Sequence, residues 1–446
     1  MATSHSPKAP STDKGKPLIE RGPGFRSGLR ALPKHLNPAT IGAGLVAAIF
    51  GCTGPALIVI NGAQEAGLTP VQTASWIFGI YVFGGLISLL MALYYQQPVT
   101  GAFSIPGAVL VVGALQGFTF AEMIGAYLVA GLIVLILGLT GVVRKVITWI
   151  PFPIVMAMIA GALIRFGIGV VDSLLSAPII VGAAIVGYIL LSRFIKAIPG
   201  VLGALVIGGV AAAVTGSFGA IEGDVGLIVP ELVAPAFNIG AILAVGVPLA
   251  LLVIGAENTQ AMGVLMAERY RPPFNAMTIV SGIGGLLAPL FGGHNANIAG
   301  PMTAICASDQ AGENKAGRYA ATVVNGIIFG LFGIFAGIAV ALVTALPKEL
   351  TATLAGLAMI GVLLSAFQSS FSEKRFQLGA FVALVIAMSG VTLFGISAPF
   401  WALVGGVLAS LMLETKDFRF REETNAADMA NVPPAAEAHP QSEDRP

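Results

Sequence analysis

The chain has 446 residues, of which 56% are hydrophobic and only 10% charged, with 57 glycines; soluble domains carry roughly a quarter charged residues. That excludes a soluble globular enzyme. Its 23 Lys and Arg offset 22 Asp and Glu to leave a net charge of +1, so no nucleic-acid partner is indicated. The two cysteines, Cys52 and Cys306, sit in apolar segments without metal-ligand spacing, which argues against a disulfide framework, a zinc site or a metal cofactor.

Residues 1–36 are rich in Pro, Lys, Arg and Ser, with no apolar run before Ile41. They read as a disordered basic arm rather than a cleavable signal peptide. The acidic, Pro- and Ala-rich tail over 415–446 reads as disordered too. Between them the sequence predicts an all-α polytopic membrane protein of about fourteen apolar segments: 38–60, 71–94, 98–115, 121–142, 147–170, 177–192, 199–215, 240–264, 275–290, 292–308, 318–343, 350–368, 376–394 and 397–414. Charge tests that count. Loops after even-numbered segments hold Arg144, Lys145, Arg193, Lys196, Arg269, Arg271, Lys315, Arg318, Lys374 and Arg375, whereas the opposite loops offer only Lys348 and several acids, among them Glu65, Asp172, Glu222, Asp224 and Glu231. By the positive-inside rule both termini are expected in the cytoplasm, with Lys416, Arg419 and Arg421 on the same side. Trp76, Trp149 and Trp401 fall near segment ends and are expected as interfacial anchors.

Two halves echo each other. Pro106 and Pro301 are 195 residues apart, as are Gly161 and Gly356, and Pro151 and Pro347 are 196 apart. Seven segments per half require the second copy to be inverted, so a 7+7 inverted repeat is expected. Segments three and ten correspond under that offset, and both are interrupted: Gln97-Pro98-Val99-Thr100-Gly101-Ala102-Phe103-Ser104-Ile105-Pro106-Gly107 and Phe291-Gly292-Gly293-His294-Asn295-Ala296-Asn297-Ile298-Ala299-Gly300-Pro301. Pro and Gly predict extended chain leading into half-helices that start near Pro106 and Pro301. Paired interrupted spans point to a substrate site, and two half-helix N-termini converging there favour an anion.

Charged groups inside spans are costly and therefore informative. Glu257, deep in segment eight, suits uptake and release of a proton. His294 opens the interrupted stretch of segment ten as a second proton carrier, a substrate donor or a structural partner. Arg165 is expected to pair with Asp172, and Glu65 and Glu122 to be surface acids. Thr53, Ser104, Asn295 and Asn297 add uncharged polar groups, and Phe103, Ile105 and Ile298 an apolar wall, which together suit a small amphiphilic organic anion.

From about Asn37 to Glu414 the chain resembles the benzoate/proton symporter family of bacterial inner membranes (BenE type). The resemblance rests on Gly51-Cys52-Thr53-Gly54-Pro55, Gln97-Pro98 with Gly101-Ala102-Phe103-Ser104-Ile105-Pro106-Gly107, Gly255-Ala256-Glu257-Asn258, and Phe291 through Pro301. That family is similar to the uracil/xanthine permeases and sulfate-anion transporters. The resemblance implies a core domain over 37–142 and 238–343, a gate domain over 143–217 and 344–414, an elevator-like movement of core against gate, an inner-membrane location and a homodimer. It also implies substrate-lining roles for Phe103, Glu257, Ala296 and Asn297, with Asn258 beside them. Where the permeases carry an acid in segment ten this chain has Ala296, which favours an anionic ligand over a nucleobase. The expected activity is proton-coupled import of benzoate or a similar aromatic carboxylate, with Glu257 as carrier. The rival readings are another small organic anion or nucleobase-like solute, a channel, and a membrane-embedded enzyme.

Overall fold

Proline and glycine decide where the apolar helices stop. In the computed structural model, which describes residues 19–141, 151–195, 199–219, 227–372, 374–391, 393 and 398–418, the chain is almost entirely helical: α1 (Phe25–His35), α2 (Pro38–Cys52), α3 (Gly54–Glu65), α4 (Pro70–Tyr95), β1 (Gly101–Ala102), α5 (Ile105–Ala114), α6 (Phe120–Thr140), α7 (Phe152–Ser176), α8 (Pro178–Phe194) and α9 (Gly200–Val214) in the first half. The second half comprises α10 (Ile239–Ala267), α11 (Phe274–Leu287), β2 (Asn297–Ile298), α12 (Gly300–Ala307), α13 (Tyr319–Ile334), α14 (Ala336–Thr344), α15 (Lys348–Phe371), α16 (Gln377–Ser389) and α17 (Ala398–Leu413). Helix lies within each of the fourteen expected segments. Among the described residues eight helices are long and apolar enough to cross a membrane, and five more apolar helices are shorter. Outward-facing Leu86, Leu132, Ile168 and Leu364 are exposed, as lipid-facing side chains should be.

The first break shows the local cause. The Gly51 carbonyl would accept the N–H of residue 55, but Pro55 has none. The helix stops at Cys52 and restarts at Gly54, and Tyr81 closes the freed Gly51 carbonyl with its hydroxyl at 2.5 Å. In α10, Pro248 removes another donor, and the helix widens into two π-helical segments, Ile242–Gly246 and Val253–Asn258.

The helices pack in two sets. In one, α4 lies on α13, α6 on α11, α2 on α13 and α10 on α12; in the other, α7 lies on α15 and α16, α8 on α9 and α16 on α17. Small residues permit the close approaches: a Cβ on Gly131 of α6 would strike the Gly285 carbonyl of α11. The sets meet where α3 touches α15 and α5 touches α7.

Several expectations change. The arm expected to be unstructured over 1–36 is helical from Phe25 to His35 and docked on the body; residues 1–18 and 419–446 lie outside the described residues, as do Arg144, Lys145, Trp149, Lys196, Glu222, Asp224, Arg419 and Arg421. Asp172 is in α7 rather than a loop, and its expected partner Arg165 instead donates to the Val109 carbonyl at 3.2 Å and lies over the Phe166 ring. Arg165 reaches α5 directly, whereas seven residues place Asp172 nearly two turns along its own helix. Trp76 is no interfacial anchor. It is fully buried, because its N–H is needed inside.

Candidate substrate site

The two interrupted segments cross and pair. β1 and β2 run antiparallel with Gly101 opposite Ile298 and Ala102 opposite Asn297. Extended backbone at membrane depth must be closed by protein, and it is. Ser88 of α4 both accepts from the Gly101 N–H (2.8 Å) and donates to its carbonyl (2.9 Å). Ser281 of α11 accepts from the Ile298 N–H (3.1 Å), the Ala299 N–H reaches the Thr100 carbonyl (2.9 Å), and the Thr100 N–H reaches the Thr303 hydroxyl (3.1 Å). From this crossing α5 and α12 depart with Pro106 and Pro301 in their first turns.

Glu257 stands where those helices begin. It lies in the second π segment of α10, which turns its side chain inward, and is 3% exposed. Its Oε2 accepts the Gly300 N–H at the start of α12 (3.3 Å), and the Ser104 hydroxyl and Ile105 N–H at the start of α5 lie near it. The carboxylate therefore sits at the meeting point of two half-helix N-termini, a place built for negative charge. Gly300 must be glycine there, because a Cβ would run into the Gln260 side chain.

Beside Glu257 is a cavity of about 170 Å³ lined by Phe50, Ile105, Pro106, Ala256, Gln260 and Pro301 on one side and by Met156, Ile159, Gly361, Val362 and Ser365 on the other. The first group comes from α2, α5, α10 and α12, the second from α7 and α15, so the cavity lies between the two helix sets. It offers one carboxyl group, an amide, a hydroxyl and otherwise apolar walls. A larger cavity of about 510 Å³, lined by Cys52, Thr53 and apolar side chains of α3, α9, α14 and α15, contains no charged group.

The remaining sequence-selected residues do not line the Glu257 cavity. Thr53 borders the larger one and donates back to the Ile49 carbonyl (2.8 Å). Phe103 is 1% exposed, packed against the rings of Tyr81, His294 and Phe329; Phe50, Ile105, Met156, Ile159 and Val362 form the apolar wall in its place. Ser104 caps α5 by accepting the Gly107 N–H (3.0 Å). Asn295 accepts the Ser104 N–H (3.1 Å), Asn258 accepts from Ser281 (3.0 Å), Asn297 donates to the Ile298 carbonyl (2.8 Å), and Ala296 is fully buried beside β2. Gln260 and Ser365 were missed. Gln260 had a readable signal, since it is three residues beyond Glu257 on one helix face; Ser365, one of several hydroxyls in its helix, had none.

His294 is held at both ring nitrogens. The Trp76 indole, which only donates, reaches Nδ1 at 3.1 Å, so Nε2 carries the hydrogen and donates to the Ser104 carbonyl at 3.0 Å. A second proton on the ring would break the Trp76 bond. The geometry makes His294 a fastener between the two interrupted segments. Glutamine can accept from Trp76 and donate to Ser104 in the same way, so His294→Gln should melt close to the parent, while His294→Leu should lose about 2–3 kcal/mol of stability by stranding two buried polar groups. Thermal melts in detergent check both; a leucine variant as stable as the parent would show that the two interrupted segments hold together without this fastener.

Among the described residues no cluster of three or more His, Cys, Asp or Glu side chains is placed to hold a metal ion.

Comparison with known proteins identifies its relatives. The family model "Benzoate membrane transport protein" (BenE) matches residues 34–412. The benzoate membrane transport protein of Acinetobacter baylyi is 30% identical over 385 residues, covering 86% of this chain and 98% of that protein. Inner membrane protein YdcO of Escherichia coli is 30% identical over 378 residues, covering 85% and 96%. Among solved structures, the transmembrane domain of the cyanobacterial bicarbonate transporter BicA superposes with a TM-score of 0.55 at 15% identity, covering 83% of this chain and 96% of that one. SLC26A9 superposes with a TM-score of 0.56 at 15% identity, covering 86% and 67%. These neighbours share the fold. With its family model matched across nearly the whole helical body, the chain belongs to the benzoate membrane transport protein family, as a membrane transporter and not an enzyme.

Proposed function

We propose that this protein imports benzoate, or a closely similar aromatic carboxylate, together with a proton across a bacterial inner membrane. The observation that carries the reading is the placement of Glu257: a carboxyl group seated between two half-helix N-termini and opening onto an apolar-walled cavity. In the empty carrier the Glu257 carboxylate occupies the positive focus and is neutralised by it. An arriving carboxylate competes for the same N–H groups. Two unit negative charges about 5 Å apart repel by roughly 3 kcal/mol at an effective dielectric of 20, so the substrate displaces Glu257 only as Glu257 takes up a proton. Protonated, its hydroxyl donates to the incoming carboxylate while the ring lies against Ile105, Met156, Ile159 and Val362. Each substrate then travels with one proton, and the empty carrier returns with its charge compensated.

The two helix sets give the movement its parts. We read spans 1–4 and 8–11 as the mobile core and spans 5–7 and 12–14 as the gate, with the cavity at their boundary, fourteen spans in a 7+7 inverted repeat, both termini cytoplasmic and two copies in the working assembly. A cavity between two rigid sets is exposed to either side by sliding one along the other.

A second reading, transport of a small inorganic anion, is favoured by the likeness to a bicarbonate transporter. Five apolar side chains around one carboxyl favour the aromatic acid. Labelled benzoate uptake into proteoliposomes decides: an inward proton gradient should drive accumulation with one proton per benzoate, and excess bicarbonate or acetate should compete weakly. Uptake indifferent to the gradient would overturn the coupling, and strong competition by bicarbonate would overturn the substrate.

A further inference from the structure

The transport chemistry leaves α1 unused. This helix precedes the first span and is fastened to the body at many points: the Gly24 N–H donates to the Tyr94 carbonyl (3.0 Å), Tyr319 donates to the Gly28 carbonyl (2.9 Å), Gln96 donates to Ser27 (2.8 Å), and Phe25 packs on the Tyr94 ring. Just before it, Glu20 accepts the Asn275 and Ala276 N–H groups at the start of α11. Gly28 is where α1 presses closest, since a Cβ there would strike the Leu93 backbone. Tyr94 and Tyr95 are the last residues of the 26-residue span helix α4, so α1 lies at the level where a span leaves the hydrocarbon.

At 100° per residue α1 has three faces. Gly28, Ala31, Leu32 and His35 turn toward the body. Phe25 and Leu29 share the next face and are 44% and 55% exposed, continued by Leu36 at 40%. Arg26, Arg30 and Lys34, spaced four apart, form a third, exposed row directly beside the apolar one, and none makes an ion pair among the described residues. Exposed apolar side chains flanked by a row of unpaired cations at headgroup height match one surface, a leaflet of anionic phospholipid. The apolar strip enters the acyl boundary and the cations meet phosphates, with their long stems lying along the apolar strip.

We propose that α1 is an anionic-phospholipid binding element that ties the α4, α11 and α13 edge of the body to the headgroup layer. The test uses the full-length protein in detergent, titrated with phosphatidylglycerol or phosphatidylcholine and read by native mass spectrometry, which requires no transport. The parent should prefer phosphatidylglycerol. The triple variant Arg26→Gln, Arg30→Gln, Lys34→Gln should bind phosphatidylglycerol roughly 100-fold more weakly, at about fivefold per cation near an anionic surface, with phosphatidylcholine binding and melting temperature unchanged. Phe25→Ser with Leu29→Ser should weaken both lipids. In the parent alone, raising salt from about 0.05 to 0.5 M should cost at least about tenfold in phosphatidylglycerol affinity, since exposed charges are screened, while inorganic phosphate at millimolar level should not displace it. Equal affinity of the parent for both lipids, a triple variant that binds phosphatidylglycerol like the parent, or a flat salt response would overturn the proposal.

Discussion

Glu257→Gln should abolish uphill benzoate accumulation under an inward proton gradient while leaving exchange of labelled for unlabelled benzoate largely intact. The glutamine oxygen still accepts the Gly300 N–H that Glu257 holds at 3.3 Å, so the site keeps its shape. What it loses is a proton to release. The variant should bind benzoate with one affinity across pH, equal to that of the protonated parent. The parent should weaken by up to roughly 100-fold once Glu257 is ionised, the equivalent of about 3 kcal/mol of repulsion. Linkage requires the same factor in the other direction, so benzoate binding to the parent should draw a proton from weakly buffered solution and binding to the variant should not. Accumulation by the variant against a benzoate gradient would remove Glu257 from the coupling; loss of exchange as well as accumulation would make it a substrate ligand first.

The largest stability loss is expected at Arg318. Its side chain is 1% exposed and gathers four groups: the Gly312 carbonyl (2.8 Å), the Ala307 carbonyl at the end of α12, Glu268 beyond the end of α10 (3.0 Å), and Asp309. Asp309 is 91% exposed and Glu268 31%, so those ion pairs are screened and contribute modestly. The greater cost of Arg318→Ala is two carbonyls stripped of donors and a hole in a buried site, together about 3 kcal/mol. Arg318→Lys should recover only part of this, because an ammonium lacks the planar fork that reaches several acceptors at once. Melting curves in detergent measure it, and an alanine variant as stable as the parent would show that the loop closes without the guanidinium. Because Arg318 ties the far ends of the helix that carries Glu257 and the half-helix that Glu257 caps, the alanine variant should also bind benzoate more weakly.

Much of this site was legible because its causes are local. Pro98, Pro106 and Pro301 with their neighbouring glycines break helices wherever they stand, so the two half-helices could be read from the chain. The depth of Glu257 followed from the apolar residues around it. The membrane-spanning character followed from composition.

Other features depended on which side chain reaches which freed backbone group. The sequence placed the substrate carboxylate at the half-helix N-termini and Glu257 nearby; the folded chain puts Glu257 on that spot, because a π segment in α10 alters the angle at which the side chain leaves the helix. Phe103 looked like a ring-facing wall, yet the crossing of β1 and β2 turns it toward Tyr81 and Phe329. Trp76 stands at a segment end like any interfacial anchor, and nothing within 200 residues of it announces that His294 needs its N–H. Residues 25–35 carry three cations, a Gly and a Pro, too many helix-weakening residues to hold a helix alone, and Tyr94 and Tyr319 supply the surface on which they fold. The sequence by itself determined the spans, their two interruptions and the one deep carboxyl, since hydrophobicity and helix breaking act within a few residues. Only the tertiary structure decided the cavity wall, the seat of Glu257 and the docking of α1, since each closes a polar or apolar surface with groups distant along the chain.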